Sequence, residues 1–124
     1  MNAAIADVTQ FGVRPLTRLF RALGDETRLR IVALLSHGEL CVCHLEKALK
    51  LRQSNVSRQV GILRTANVVE GRRDGTWMHY SLAAQEHAAV DAVLGALVRS
   101  FGAERAIRAD HERLRTCCGP DNRR

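Results

Sequence analysis

The sequence predicts a mainly α-helical chain with one small β-hairpin, and three observations predict it. Apolar residues recur at helical spacing along most of the 124 residues. Glycine, asparagine and aspartate fall where those runs stop and restart. A single hairpin signal, Asp74-Gly75, separates two short runs of strand-forming residues.

The elements follow in order. Residues 1–12 show no pattern and read as a flexible N-terminal tail. From Val13 to Leu23 the apolar Leu16, Leu19, Phe20 and Leu23 keep one helical face. Gly24 ends that helix and Asp25 is placed to cap the next. In the second helix Leu29, Ile31, Val32, Leu34 and Leu35 leave almost no polar face, and Gly38 closes it. A short third helix is expected over Val42–Leu49, with Leu45, Ala48 and Leu49 turned inward. Ser54 reads as the N-cap of a fourth helix reaching Ala66, with Val56, Val60 and Leu63 inward and Asn55, Arg58 and Gly61 outward. Asn67 suits a left-handed C-terminal position. Val68–Arg73 and Thr76–Leu82 are the hairpin strands. A long helix then runs from about Gln85 through Arg99 and on towards Arg115. Its Val90, Val93, Leu94, Leu97, Val98 and Phe101 exceed what one small domain can cover. That surplus, with the first helix, is read as a homodimer interface.

Three helices, a recognition helix and a β-ribbon, framed by terminal helices, describe a winged helix-turn-helix that dimerises through those terminal helices. The expected organisation is a tail over residues 1–12, a DNA-binding and dimerisation domain over 13–116, and a cysteine-containing tail over 117–124. A chain this size builds a single modest core. The formal charge is +6, which favours a polyanionic partner. Between Glu46 and Asp74 the chain carries Lys47, Lys50, Arg52, Arg58, Arg64, Arg72 and Arg73, against only Glu46, Glu70 and Asp74. No window approaches the roughly 18 apolar residues of a membrane span, and Met1–Thr9 lacks a signal-peptide layout. The expected address is the cytoplasm, where thiols stay reduced.

The DNA-reading candidates are Gln53, Ser54, Asn55, Ser57, Arg58 and Gln59 on the fourth helix, with Arg72 and Arg73 on the wing. Amide, hydroxyl and guanidinium groups on a helix can read base edges in the major groove. Wing arginines can reach phosphate or the minor groove. The alternative for the helix is an ordinary solvated face. Trp77 and Tyr80 read as packing residues.

The ligand candidates are Cys41, Cys43, Cys117 and Cys118, whose close spacings suit metal, metalloid or redox chemistry better than structural bridges. Thiolates select soft ions, and a helix N-terminus favours the thiolate. The alternative for Cys41 and Cys43 is two small buried apolar residues. Residues two apart do not share a face of a regular helix. One ion held by both sulfurs therefore requires a non-helical first turn, or one that unwinds and shifts the recognition helix. The adjacent Cys117 and Cys118 suit capture of trivalent arsenic or a vicinal disulfide.

These residues resemble the ArsR/SmtB family of metal- and metalloid-responsive repressors. The resemblance spans about Leu16–Leu82 and is carried by Leu23-Gly24-Asp25-Glu26-Thr27-Arg28-Leu29-Arg30, Glu39-Leu40-Cys41-Val42-Cys43, Ser57-Arg58-Gln59 and Gly75-Thr76-Trp77-Met78-His79-Tyr80. It implies a homodimeric repressor that binds an inverted repeat of operator DNA and leaves it when an inducer binds. Arsenical-resistance members often have Cys-x-Cys-x-x-Cys, giving three thiolates for As(III) or Sb(III). Here Glu46 stands at the third position and His44 replaces the usual aspartate, so Cys117 or Cys118 is the candidate for the missing sulfur. Cadmium and lead sensors add N-terminal cysteines that this chain lacks. The zinc-sensor pattern of the last helix is not matched by Gln85-Glu86-His87 with Val98 and Phe101. The expected function is an As(III)-released repressor; the alternative is the same fold sensing cadmium, lead or a redox or persulfide signal. An enzyme is not expected, since no Cys-x-x-Cys on a βαβ unit is present.

Overall fold

The computed structural model describes residues 13–118. The expected tail over residues 1–12, and residues 119–124, lie outside the described residues. Helix α1 (Arg14–Leu23) starts with Pro15 in its first turn and buries Leu19, Ala22 and Leu23. Asp25 is extended and its carboxylate accepts from the Arg28 backbone N–H at 3.1 Å, so it caps α2 (Glu26–Leu35) as expected. Ile31 to Leu35 are buried without a break. Arg28 then closes over the end of α1, donating from Nε to the Ala22 carbonyl and from Nη2 to that of Arg21. The Arg21 carbonyl also accepts from the capping Gly24 N–H at 3.3 Å; the last carbonyls of a helix run short of partners in their own ladder, and a cation there also suits the helix dipole.

A two-residue strand β1 (Leu40–Cys41) leads straight into α3 (Val42–Leu49), whose bounds agree with the sequence expectation. Lys50 ends α3 in the left-handed region at φ 58°. Helix α4 (Gln53–Thr65) follows after an extended Arg52. This corrects the expected N-cap: Arg52, not Ser54, occupies it. The physical reason is that Lys50 makes the turn in so few residues that the helical ladder already starts at the Arg52 carbonyl, which accepts from Val56 N–H at 3.0 Å. Asn67 takes the left-handed conformation expected of it, at φ 61°.

Strands β2 (Val69–Asp74) and β3 (Trp77–Leu82) form the wing, and β1 joins the other side of β3 to give an antiparallel sheet of order β1-β3-β2. The turn lies one residue later than expected. Asp74 pairs with Trp77, so the loop is Gly75-Thr76 rather than Asp74-Gly75. Gly75 sits at φ 64° and Thr76 has no positive φ, the pattern of a type II′ loop with glycine first. The long last helix is also corrected. It is α5 (Ala88–Ser100), a 3₁₀ turn (Phe101–Ala103) and α6 (Arg105–Cys118). Phe101 turns its ring into the core at the break, and Gly102 offers no side chain there. α6 therefore folds back over α3 and α2 instead of extending away. Cys117 and Cys118 form its last turn, so the proposed tail over 117–124 begins inside a helix.

Candidate functional site

The junction of β1 and α3 brings the thiols together. Cys41 pairs in register with His79 of β3 and is extended, at φ −88° and ψ 166°. It is the N-cap of α3, while Cys43 is the second helical residue. The sulfurs of Cys41 and Cys43 are in contact as a disulfide, with their Cα atoms 5.4 Å apart. A non-helical residue at the cap meets the geometric requirement set by the Cys-x-Cys spacing, so no turn has to unwind for the two sulfurs to converge. Cys41 is 1% exposed, and its Sγ lies 3.4 Å from Nδ1 of His44, itself 5% exposed. Ligand atoms of Cys41, Cys43 and His44 all lie within 4.8 Å of one another. Sequence reasoning did not treat His44 as a ligand. The signal was present: His44 is the third helical residue, the position that faces the cap in a capping box.

A cavity of about 380 Å³ opens over this cluster. Its walls include Cys41, Cys43, Gln53, Ser57, Trp77 and Met78, so thiols, recognition helix and wing share one cleft. Among the DNA-reading candidates, Gln53, Ser54, Ser57 and Arg58 are exposed on α4. Asn55 is half-buried and its Oδ1 accepts from Arg58. Gln59 is half-buried and its Oε1 accepts from Arg28 Nη1 at 2.8 Å, which engages the amide oxygen and ties α4 to α2. Arg73 is exposed on β2. Arg72 instead makes two bonds to the Glu39 carboxylate, at 3.0 and 2.6 Å. Through that pair Arg72 holds the Glu39 carboxyl below the usual carboxylate range. Tyr80 is buried as expected, under the Arg64 guanidinium. Trp77 is not a packing residue: it is 50% exposed, because the shifted turn places it at the wing tip.

Cys117 and Cys118 are paired with each other as a vicinal disulfide. Cys118 is buried in the core and Cys117 is exposed, beside a depression shared with Lys47 of α3. Within this single chain, neither joins the group formed by Cys41, Cys43 and His44. What holds α6 against α3 is a network absent from the sequence reading. The fully buried Asp110 carboxylate accepts from Arg30 of α2 and from Arg113, whose Nε also donates to the Ala48 carbonyl at 2.7 Å.

The apolar surplus of the terminal helices is visible as well. Val90, Leu94 and Phe101 are buried, but Val93 and Leu97 are only partly covered and Phe20 is 58% exposed. Phe20, Leu29, Val93 and Leu97 line an open apolar hollow of about 540 Å³. Among the described residues, no helix is long and apolar enough to cross a membrane.

Residues 25–70 match the family described as bacterial regulatory protein, arsR family. The arsenical resistance operon repressor of Escherichia coli (strain K12) is 50% identical over 66 residues, 52% of this chain and 56% of that protein. The arsenical resistance operon repressor of Bacillus subtilis (strain 168) is 36% identical over 75 residues, 60% of this chain and 71% of that protein. The chain thus spans only a little over half of the Escherichia coli relative. Among solved structures, the homodimeric winged helix-turn-helix DNA-binding domain from Mycobacterium bovis superposes with a TM-score of 0.61. It is 27% identical and is covered over 75% of this chain and 86% of that one. These names are those of regulators and a DNA-binding domain, in line with the expectation that the chain is not an enzyme. The helix order, the wing and the matched sequence together place this chain in the arsR family of bacterial regulatory proteins.

Proposed function

We propose that the chain is a homodimeric cytoplasmic repressor that binds an inverted repeat of operator DNA and is released when As(III), or Sb(III), is captured by Cys41 and Cys43. The observation that carries this reading is the shared cleft: one cavity is walled by both thiols, by Gln53 and Ser57 of α4, and by Trp77 of the wing. An ion with its ligands in that cleft acts directly on the two elements that would straddle a DNA groove. Arsenite takes three sulfurs, and the third is assigned to Cys117 or Cys118 of the same or the partner subunit. The close packing of α6 on α3 supports that assignment, since it lays Cys117 alongside Lys47. Gln53, Ser54, Ser57 and Arg58 are assigned to the DNA face, with Asn55 and Gln59 behind them and Arg72 and Arg73 on the wing. The hollow beside Phe20 and Leu97 is assigned to the dimer interface.

A second reading is favoured by the pairing of Cys41 with Cys43. Two sulfurs that meet as a disulfide also suit release by oxidation, in which two thiols give up two electrons and two protons to an oxidant such as peroxide. Cadmium and lead are the remaining candidates. The test is fluorescence anisotropy on labelled operator DNA, with arsenite, cadmium, lead and peroxide titrated separately. The account predicts release by arsenite that is lost in Cys41→Ser/Cys43→Ser and in Cys117→Ser/Cys118→Ser. Release by peroxide alone would replace the arsenite reading with the redox one.

A further inference from the structure

Helix α1 turns a face of arginines towards one flank of α4. Arg14, Arg18 and Arg21 recur at helical spacing on one side of α1, opposite the side that holds Leu16, Phe20 and Leu23. All three are exposed and α1 contains no acidic residue. Among the described residues, no carboxylate forms an ion pair with them. With Ile62, Thr65 and Ala66 of α4 they wall an open groove of about 520 Å³. Arg28 fixes the two helices relative to each other, since it bonds the last carbonyls of α1 and the Gln59 side chain of α4. The groove borders α4 on the flank away from the wing. Gln53 and Ser57 line the cavity shared with Trp77, whereas Ile62 and Ala66 line the one shared with α1. At helical spacing Ser54 and Arg58 fall between these two flanks.

We propose that Arg14, Arg18 and Arg21 bind the phosphate backbone of the duplex whose major groove α4 enters, on the strand away from the wing. This use of α1 rests on the DNA reading given under the proposed function and adds a second backbone contact to it. A helix seated in the major groove has a phosphate strand on each side. The wing arginines stand on one side of α4, and the α1 arginines stand on the other. Guanidinium groups suit phosphate because they present paired N–H donors to two oxygens. A small anion fits the groove less well. It is open, and the hydroxyls of Thr17 and Thr65 already donate to the carbonyls of Val13 and Gly61, at 3.1 and 3.0 Å. What remains is a row of cations around the apolar Ala22 and Ile62, which suits an extended polyanion held by charge. Because the arginine face lies opposite Phe20, it does not compete with the hollow assigned to the dimer interface. Phosphate contacts carry no sequence information, so α1 adds affinity without discrimination.

The experiment measures binding of the full, reduced chain to a labelled operator duplex and to a random duplex of equal length, by anisotropy at graded salt. In Arg14→Gln/Arg18→Gln/Arg21→Gln the affinity falls by the same factor on both duplexes. The slope of log affinity against log salt falls by about 0.9 for each phosphate given up. Arg14→Lys/Arg18→Lys/Arg21→Lys is the second variant; it keeps the charge and restores the wild-type slope. Because all three side chains are exposed, both variants keep the thermal stability of the wild type. Ethylation of single operator phosphates weakens the wild type at positions where it no longer affects the glutamine variant. An unchanged salt slope in that variant would overturn the proposal, leave the repressor reading standing and assign the groove to another anion. So would a loss confined to the operator duplex, since α1 would then act by positioning α4. A wild type that binds neither duplex is a different failure, since it removes the DNA reading itself and this contact with it.

Discussion

Arg30 on α2 grips Asp110 on α6 through two bonds of 2.7 Å each, around a carboxylate with 0% exposure. Arg113 binds the same carboxylate and also the last turn of α3. The terminal helix is therefore fastened to the helix that carries the thiols, and the position of Cys117 and Cys118 relative to α3 is set by charge as well as by packing. Taking one partner from a buried pair strands the other, which costs about 3–5 kcal/mol. Arg30 keeps some contact with solvent, so Asp110→Asn should cost about 3 kcal/mol. Urea denaturation of the two proteins measures it; a difference below about 1 kcal/mol would mean that the network only decorates the α2–α6 contact.

His37 and His111 stack with ring centres 3.9 Å apart, which adds a pH-sensitive contact between the end of α2 and α6. Burial first, and then the neighbouring His111, push the His37 imidazole below its ordinary value of 6.5. The folded chain thus favours neutral His37. Its contribution to stability is present above the unfolded value and is lost as pH falls through the lower, folded one. Denaturation midpoints should drop between pH 7.5 and pH 5.5, and the drop should shrink in His37→Gln. An equal drop in that variant would assign the acid sensitivity elsewhere.

Gly71 lies where a side chain has no room. A Cβ there would meet Met78 Cε at 2.9 Å and the Tyr80 ring at 3.0 Å. Met78 can swing aside, but the buried Tyr80 has less freedom. Gly71→Ala should destabilise the chain by about 1–3 kcal/mol, as overpacking does, and weaken DNA binding by splaying the wing. Thermal denaturation and operator affinity check both; a fully stable variant would show that the sheet relaxes freely.

The two wing arginines should behave differently. Arg73 is exposed, whereas Arg72 already holds Glu39. Arg73→Ala should weaken operator and random DNA alike and reduce the slope of log affinity against log salt by about 1. Arg72→Ala should do less. Arg58→Ala should instead blur operator discrimination by about 1–3 kcal/mol. Salt-dependent anisotropy on both DNAs separates the three cases, and equal loss on both DNAs for Arg58→Ala would remove it from base reading.

Much of this was legible in the sequence because it is local. Helical spacing located Leu19, Val56, Val60 and Leu63 in the core, and Asp25 and Asn67 showed their roles through their own backbone chemistry. The turn slipped by one residue because Asp74-Gly75 and Gly75-Thr76 are both acceptable loops, and the ladder between β2 and β3 chooses. The break at Phe101–Ala103 was hidden because the apolar pattern runs into it without a strong stop. Asp110 sits among charged residues that read as a solvated face, and its partner Arg30 is 80 positions away. The thiol pair was legible from Cys41-Val42-Cys43, but the reach of His44 depends on Cys41 being a cap rather than a helical residue.

The central claim is that thiol chemistry and DNA reading occupy one cleft, and the chain contains its own reporter of it. Trp77 is the single tryptophan and borders the same cavity as Cys41 and Cys43. The most direct measurement is Trp77 emission, followed with operator anisotropy in the same arsenite titration of the reduced protein. The account predicts that the two signals change over the same arsenite range, and that both stay flat in Cys41→Ser/Cys43→Ser. Release of DNA with unaltered Trp77 emission, or release that persists in that variant, would contradict it.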